Sequence, residues 1–234
     1  MHHTLCWREF GLEKNLMVLR DDIAARRARL SPANTREIRV MGHWLSSIDR
    51  ILGKIAVVRG RVRAGIEADL GYAIASEEML ILAFFMPSTR NLFSEVLVHF
   101  GEEGCALSAK ELEDLSRLPE AAETLAWIGD AALKIGVLPE IWSPRAADAG
   151  LLSRKRRAYE SNANMARLCD RWGLYRYRIH LDPSRPKGDV SHLKGTLVEA
   201  VLGIVFLQCG LKGIARAAPL LRPGAGITLY TPPP

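Results

Sequence analysis

Asp130 and Glu199 are the two residues whose surroundings call for a chemical explanation. Asp130 follows Leu125-Ala126-Trp127-Ile128-Gly129 and precedes Ala131-Ala132-Leu133. Glu199 lies inside the run from Thr196 to Leu207, otherwise apolar after its first residue. Each is a lone acid in a stretch that reads as a buried helix. Burying an unpaired carboxylate costs on the order of several kcal/mol, so such a group is paired, protonated or metal-bound. Taken singly, each acid could equally stand half exposed at a helix edge or pair with an arginine. Taken together, they suit a hard, oxygen-ligated cation. Mg2+ is commonly held by one or two carboxylates, with waters and phosphate oxygens completing its shell. Such a centre hydrolyses phosphodiesters. Gly129, Ala131, Ala200 and Gly203 are small enough to let two helices approach closely.

The elements that must position these acids read as nearly all helix, and the fold class is all-α. Leu16, Leu19, Ile23 and Ala24 give Asn15 to Leu30 a helical stripe. Asn34, with Glu37 three residues on, predicts a capping box and a second helix to about Val58. Gly60 and Gly65 are expected to loosen the chain, so residues 1–65 read as a basic helical hairpin. Ser76 opens a further helix through Phe85. Ser108 and Glu111 form another capping box, and Pro119 suits a first helical turn. Ser153 opens a basic helix, Gly173 closes the one after it, and Lys194 to Gln208 is closed by Gly210. The expected division is an N-terminal extension 1–65, a main domain 66–222 and a tail 223–234.

Composition narrows the classes. An apolar share of 48% excludes disorder of the whole chain. No unbroken apolar run reaches the ~18 residues of a membrane span. The N-terminus has no signal-peptide pattern, so a cytoplasmic protein without a membrane partner is expected. Cys6, Cys105, Cys169 and Cys209 have no CxxC spacing and read as reduced thiols. The net charge of +6 is unevenly spread. Residues 1–65 carry 13 Lys and Arg against 6 Asp and Glu, residues 66–130 carry 3 against 13, and the rest 16 against 7. An acidic block between two basic ones fits a polyanion partner plus a divalent cation, and equally fits solvated faces.

Four segments resemble one family, in that family's order. ETLAWIGDAAL, Glu123 to Leu133, is similar to the signature helix of ribonuclease III catalytic domains, of form ERLEFLGDAVL. EADLGYAIASEEMLILAFFMPS resembles the opening LGY segment. GLLSRKRRAYESNANMARLCDRWGLYRY, Gly150 to Tyr177, is similar to G-LS--R--LVSN--LA--A---GL--Y. GTLVEAVLGIVFLQCG, Gly195 to Gly210, resembles the closing helix ADTFEALIGALYLDGG. The resemblance covers roughly 66–222.

The departures are specific. The longer family members use four acids, and here two of those positions hold Ala126 and Thr196, leaving Asp130 and Glu199. The compact branch, mini-ribonuclease III, has the same reduced pattern. The resemblance therefore implies a metal-dependent endoribonuclease acting on double-stranded RNA in RNA processing. Asp130 and Glu199 would be its catalytic, metal-holding acids, Mg2+ its cofactor with Mn2+ as a substitute, and a homodimer its assembly. The alternative is a non-catalytic double-stranded-RNA-binding or ribosome-associated member of the same fold. The hairpin 1–65 has no counterpart in the resemblance.

Duplex RNA is read by shape, through phosphates and 2′-hydroxyls. Arg154, Arg156, Arg157, Asn162, Arg185, Lys187 and Lys194 are the expected RNA contacts. Glu123 and Thr196 are the candidates to stand behind the two ligands and orient them, although Glu123 reads more readily as a helix-surface acid. His43, His99, His180 and His192 read as structural, and Trp44, Trp127, Trp142 and Trp172 as core.

Overall fold

Apolar residues at Leu12, Leu16, Leu19 and Ile23 give the first helix, α1 (Leu12–Arg29), its buried face. The computed structural model describes residues 9, 11–100, 104–142, 148–181 and 189–224. Helix α2 (Thr35–Val57) packs back against α1, with Met41, Trp44, Ile48, Ile51 and Ile55 buried. The hairpin is therefore helical as expected, but its end is not. A π-type turn, Val58–Val62, leads without a break into α3 (Arg63–Leu70). Gly60 and Gly65 do not loosen the chain. They face open space, while Val58, Val62, Ile66 and Leu70 continue the buried stripe. A π turn inserts the extra residue that keeps such a stripe in register. The capping box expected at Asn34 is also absent, since its side chain makes no cap hydrogen bond.

Other local signals act as their chemistry dictates. Ser76 accepts from the Met79 N–H to open α4 (Glu77–Leu82). After α5 (Thr89–Phe100), Ser108 and Glu111 form the complete capping box of α6 (Ala109–Ser116). Pro119 sits in the first turn of α7 (Leu118–Gly136), which is followed by the short α8 (Leu138–Ile141). The basic helix starts before Ser153: α9 is Ala149–Tyr159, capped by Asp148. Helix α10 (Asn162–Trp172) ends on Gly173 at φ 68, and α11 (Leu174–Tyr177) follows. Among the described residues the strand-like pairing is one isolated bridge, Phe85 to Ile179, so the chain is all-α.

Helix α12 (Val190–Ala217) is the centre of the molecule and packs most extensively on α7. Gly210 takes a positive φ of 61, breaking the helix where expected, but the chain resumes helical geometry beyond it. By length and hydropathy alone, Val190–Leu221 would suffice to cross a bilayer. Here Leu197, Val198, Val201, Leu202, Ile204 and Val205 are instead buried by the surrounding helices. One apolar cluster runs from Leu12 through Leu221, so the N-terminal hairpin shares its core with the rest.

Candidate active site

The site is built where α7 crosses α12, and two glycines set its spacing. A Cβ at Gly129 would overlap the Glu199 carbonyl oxygen, and one at Gly203 would overlap the Leu125 carbonyl oxygen. Only glycine lets the two backbones meet this closely. Asp130 follows the first glycine and Glu199 lies one turn before the second, so the crossing brings the two carboxylates into one electrostatic neighbourhood.

Their interaction bears on the Glu199 carboxyl. Burial pushes its carboxyl above the usual range, and the neighbouring Asp130 charge pushes it further, while His192 and Lys134 pull it back. Asp130 is part-exposed, and its Oδ2 accepts a hydrogen bond from Lys134 Nζ at 2.5 Å. That hydrogen bond in turn raises the Lys134 pKa. A third carboxylate also belongs to this neighbourhood. Burial pushes Glu160 up, Arg156 and Lys134 draw it down, and Asp130 adds to the rise.

Two carboxylates held near one another at a cost are a hard-oxygen donor set, and a divalent cation would relieve both burial and repulsion. Among the described residues, no group of three or more His, Cys, Asp and Glu is arranged around a common point. Asp130 and Glu199 supply two carboxylates of that chemistry, and further oxygens would have to come from water or substrate.

The remaining predicted residues divide. Thr196 and the exposed Glu123 line a cleft of about 320 Å³ beside α12, together with His192, Leu197 and Ala200. The Thr196 hydroxyl donates to the His192 carbonyl at 3.2 Å. Arg154 and Arg157 share an exposed face of α9, and Arg154 lies 3.9 Å from Asp148. Arg156 turns inward to Glu160 at 3.1 Å. Asn162 is exposed at the start of α10, whereas Asn164 is buried and donates to the Tyr159 and Leu221 carbonyls. Lys194 is engaged within the chain. Its side chain is 19% exposed and pairs with Asp170 at 2.7 Å above the Tyr175 ring. Arg185 and Lys187 lie outside the described residues, as does Cys6.

The tryptophans correct the expectation of a uniform core. Trp44 and Trp172 are buried, with indole N–H groups donating to Glu95 and Asp69. Trp127 and Trp142 are 72% and 62% exposed. Trp127 points away because Leu125, Ala126 and Gly129 already turn the buried face of α7 to α12. His192 belongs beside the site rather than among purely structural histidines.

Lys134 and Glu160 were not singled out in the sequence. Lys134 was detectable as the i+4 neighbour of Asp130. Glu160 was detectable as an acid where the quoted family form has Val.

Comparison with known proteins gives one match. The ribonuclease III domain family model matches residues 123–210, which hold both Asp130 and Glu199. No curated protein and no solved structure matches the chain.

Proposed function

We propose that this chain, whose residues 123–210 match the ribonuclease III domain family model, is a metal-dependent endoribonuclease that hydrolyses phosphodiester bonds in double-stranded RNA. The observation that carries the reading is the backbone-to-backbone crossing at Gly129 and Gly203, which brings Asp130 within electrostatic range of the half-buried Glu199. These two acids would hold Mg2+, or Mn2+ in its place. When bound, the cation supplies an activated water and neutralises charge building on the phosphate. The reduced acid set, with Ala126 and Thr196 at the other two positions, fits the mini-ribonuclease III type.

The chain's own residues supply binding and assembly. The exposed Arg154 and Arg157 on α9, with Asn162 at the next helix start, are suited to contact phosphates and sugars. Arg185 and Lys187 extend that set. Lys194 is committed to Asp170 and contributes less than its position suggested. The exposed Trp127, beside the site on α7, is the apolar surface we assign to a twofold homodimer with one site per subunit. Sedimentation of a monomer at micromolar concentration and above would remove the dimer from this reading.

A second reading is a non-catalytic RNA-binding protein, favoured by the Lys134 ammonium that already neutralises Asp130. One experiment separates the two. Purified protein is incubated with duplex RNA and Mg2+ or Mn2+, alongside Asp130→Asn and Glu199→Gln. The enzyme reading expects cutting by the parent chain, none by either variant, and duplex binding by all three. A parent chain that binds duplex and leaves it intact with both cations establishes the second reading.

A further inference from the structure

Lys134 and Glu160 share one electrostatic neighbourhood at the edge of the site. Lys134 is one helical turn beyond Asp130, and its Nζ donates to Oδ2 at 2.5 Å. Its side chain is part-exposed, so it is held by that contact and not by packing. Glu160 arrives from another element, at the end of α9, and its side chain is only 16% exposed. Its Oε1 is buried and makes no hydrogen bond, although Arg156 Nε lies 3.1 Å away. Nε of Arg156 likewise makes none, so this ion pair leaves a buried acceptor unsatisfied.

A buried carboxylate oxygen without a donor is an unfavourable and uncommon state. An ammonium carries three donors on a flexible four-carbon stem. Lys134 thus holds one acid and lies within electrostatic range of a second whose Oε1 lacks a donor.

We infer that Lys134 is the built-in counter-cation of this site: its ammonium holds the place beside Asp130 that a divalent cation takes, and Glu160 is the acceptor it moves to when the cation arrives. The inference rests on the reading that a cation binds between Asp130 and Glu199. A divalent cation and an ammonium on one carboxylate repel each other, so arrival of the first displaces the second. Transfer to Glu160 keeps the ammonium paired and satisfies the orphaned Oε1. Lys134 and Glu160 are positioning residues, acting on cation affinity through Asp130.

The test is Mn2+ binding to the full chain without RNA, read from the loss of the free-Mn2+ paramagnetic resonance signal. Lys134→Met removes the competing charge and should lower the Kd for Mn2+ by about three- to tenfold, the equilibrium value of a part-exposed ion pair. Lys134→Arg keeps the charge and should leave the Kd within about twofold of the parent. Glu160→Gln should weaken binding in the parent chain and have little effect in the Lys134→Met background, because its action runs through Lys134. Parent binding that is lost in Asp130→Asn but unchanged in Lys134→Met overturns the inference and leaves the cation site standing. Equal weakening by Glu160→Gln in both backgrounds overturns its role as acceptor. Binding that appears only in Lys134→Met supports the inference strongly. Absence of binding in both parent and Lys134→Met sinks the cation site and the inference with it.

Discussion

Where α7 crosses α12, like charges meet; where the N-terminal hairpin meets α4, opposite charges do. At the crossing, Asp130 and Glu199 sit in one neighbourhood, and burial together with mutual repulsion raises the Glu199 pKa. At the hairpin seam, Arg59 donates to both Glu13 and Glu77, and those hydrogen bonds raise its pKa. Arg63 donates to Glu67 at 2.7 Å, to Glu77 at 3.1 Å and to the Ile74 carbonyl at 2.9 Å. Burial works against the Glu67 charge, yet Arg63 and the Ile74 N–H still hold its carboxyl below the usual range. The seam's charges are satisfied within the chain. At the crossing Asp130 has Lys134, whereas the Glu199 charge is opposed by burial and by Asp130, a perturbation of the kind that clusters at functional sites.

The contrast also refines the +7 of residues 1–65. Arg20 pairs with Asp49 at 3.2 Å, Arg27 donates to the Ile38 carbonyl at 3.2 Å, and Arg59 is bound twice. Much of that positive charge holds helices together and is not displayed to a polyanion. Because the hairpin also shares the common core, charge-removing substitutions at exposed Arg36 and Arg39 probe an RNA role more cleanly than deletion.

The largest effect that would sharpen this comparison comes from Gly203→Ala. The added Cβ overlaps the Leu125 carbonyl oxygen, so the helices must separate. We expect a loss of roughly 3 kcal/mol in chemical denaturation, as for overpacking of a tight core. Gly60→Ala, which faces open space, should cost far less. If the two variants are equally stable, the crossing is not backbone-tight.

A smaller effect belongs to the seam. Arg59→Met leaves Glu13 and Glu77 without their shared partner. The three side chains are part-exposed, so the expected loss is about 1 kcal/mol, with Mn2+ affinity unchanged. A change in cation affinity would show that the two regions are coupled.

The smallest effect has the opposite sign. The Glu199 pKa is higher in the folded chain than the ordinary carboxylate value, so its charge opposes folding. That opposition is absent at pH below the unfolded pKa, where both states are protonated, and is complete above the folded pKa. In the metal-free protein, Glu199→Gln should therefore raise Tm slightly at neutral pH. The gain should vanish below about pH 4, near the unperturbed glutamate value. A variant less stable than the parent at neutral pH would mean that Glu199 is already paired.

How much of this was legible in the sequence depended on whether a feature is local. Ser76, Ser108, Pro119 and Gly173 act within a turn or so of themselves, and the structure uses each as its chemistry dictates. Asp130 and Glu199 were legible because a charge in an apolar run is conspicuous without any partner in view. The π turn was not legible, since Gly60 and Gly65 signal flexibility while the stripe from Val58 to Leu70 overrides them through packing. The Lys194 ion pair was not legible because its partner Asp170 lies on another helix. Trp127 was misjudged because composition does not say which face of α7 meets α12.

The central helix has a consequence for how the molecule is made. Helices α7, α10 and α11 precede α12, the element each packs against most, so on the ribosome each is synthesised before that partner exists. Until then the groove on α7 lined by Leu125, Ala126, Gly129 and Leu133 is open to water. The arriving segment is apolar enough to suit a bilayer. Nascent chains with such exposed surface are prone to aggregate. Occupation of that groove by α12 is thus the step that covers the face of α7, and the same step brings Glu199 within electrostatic range of Asp130.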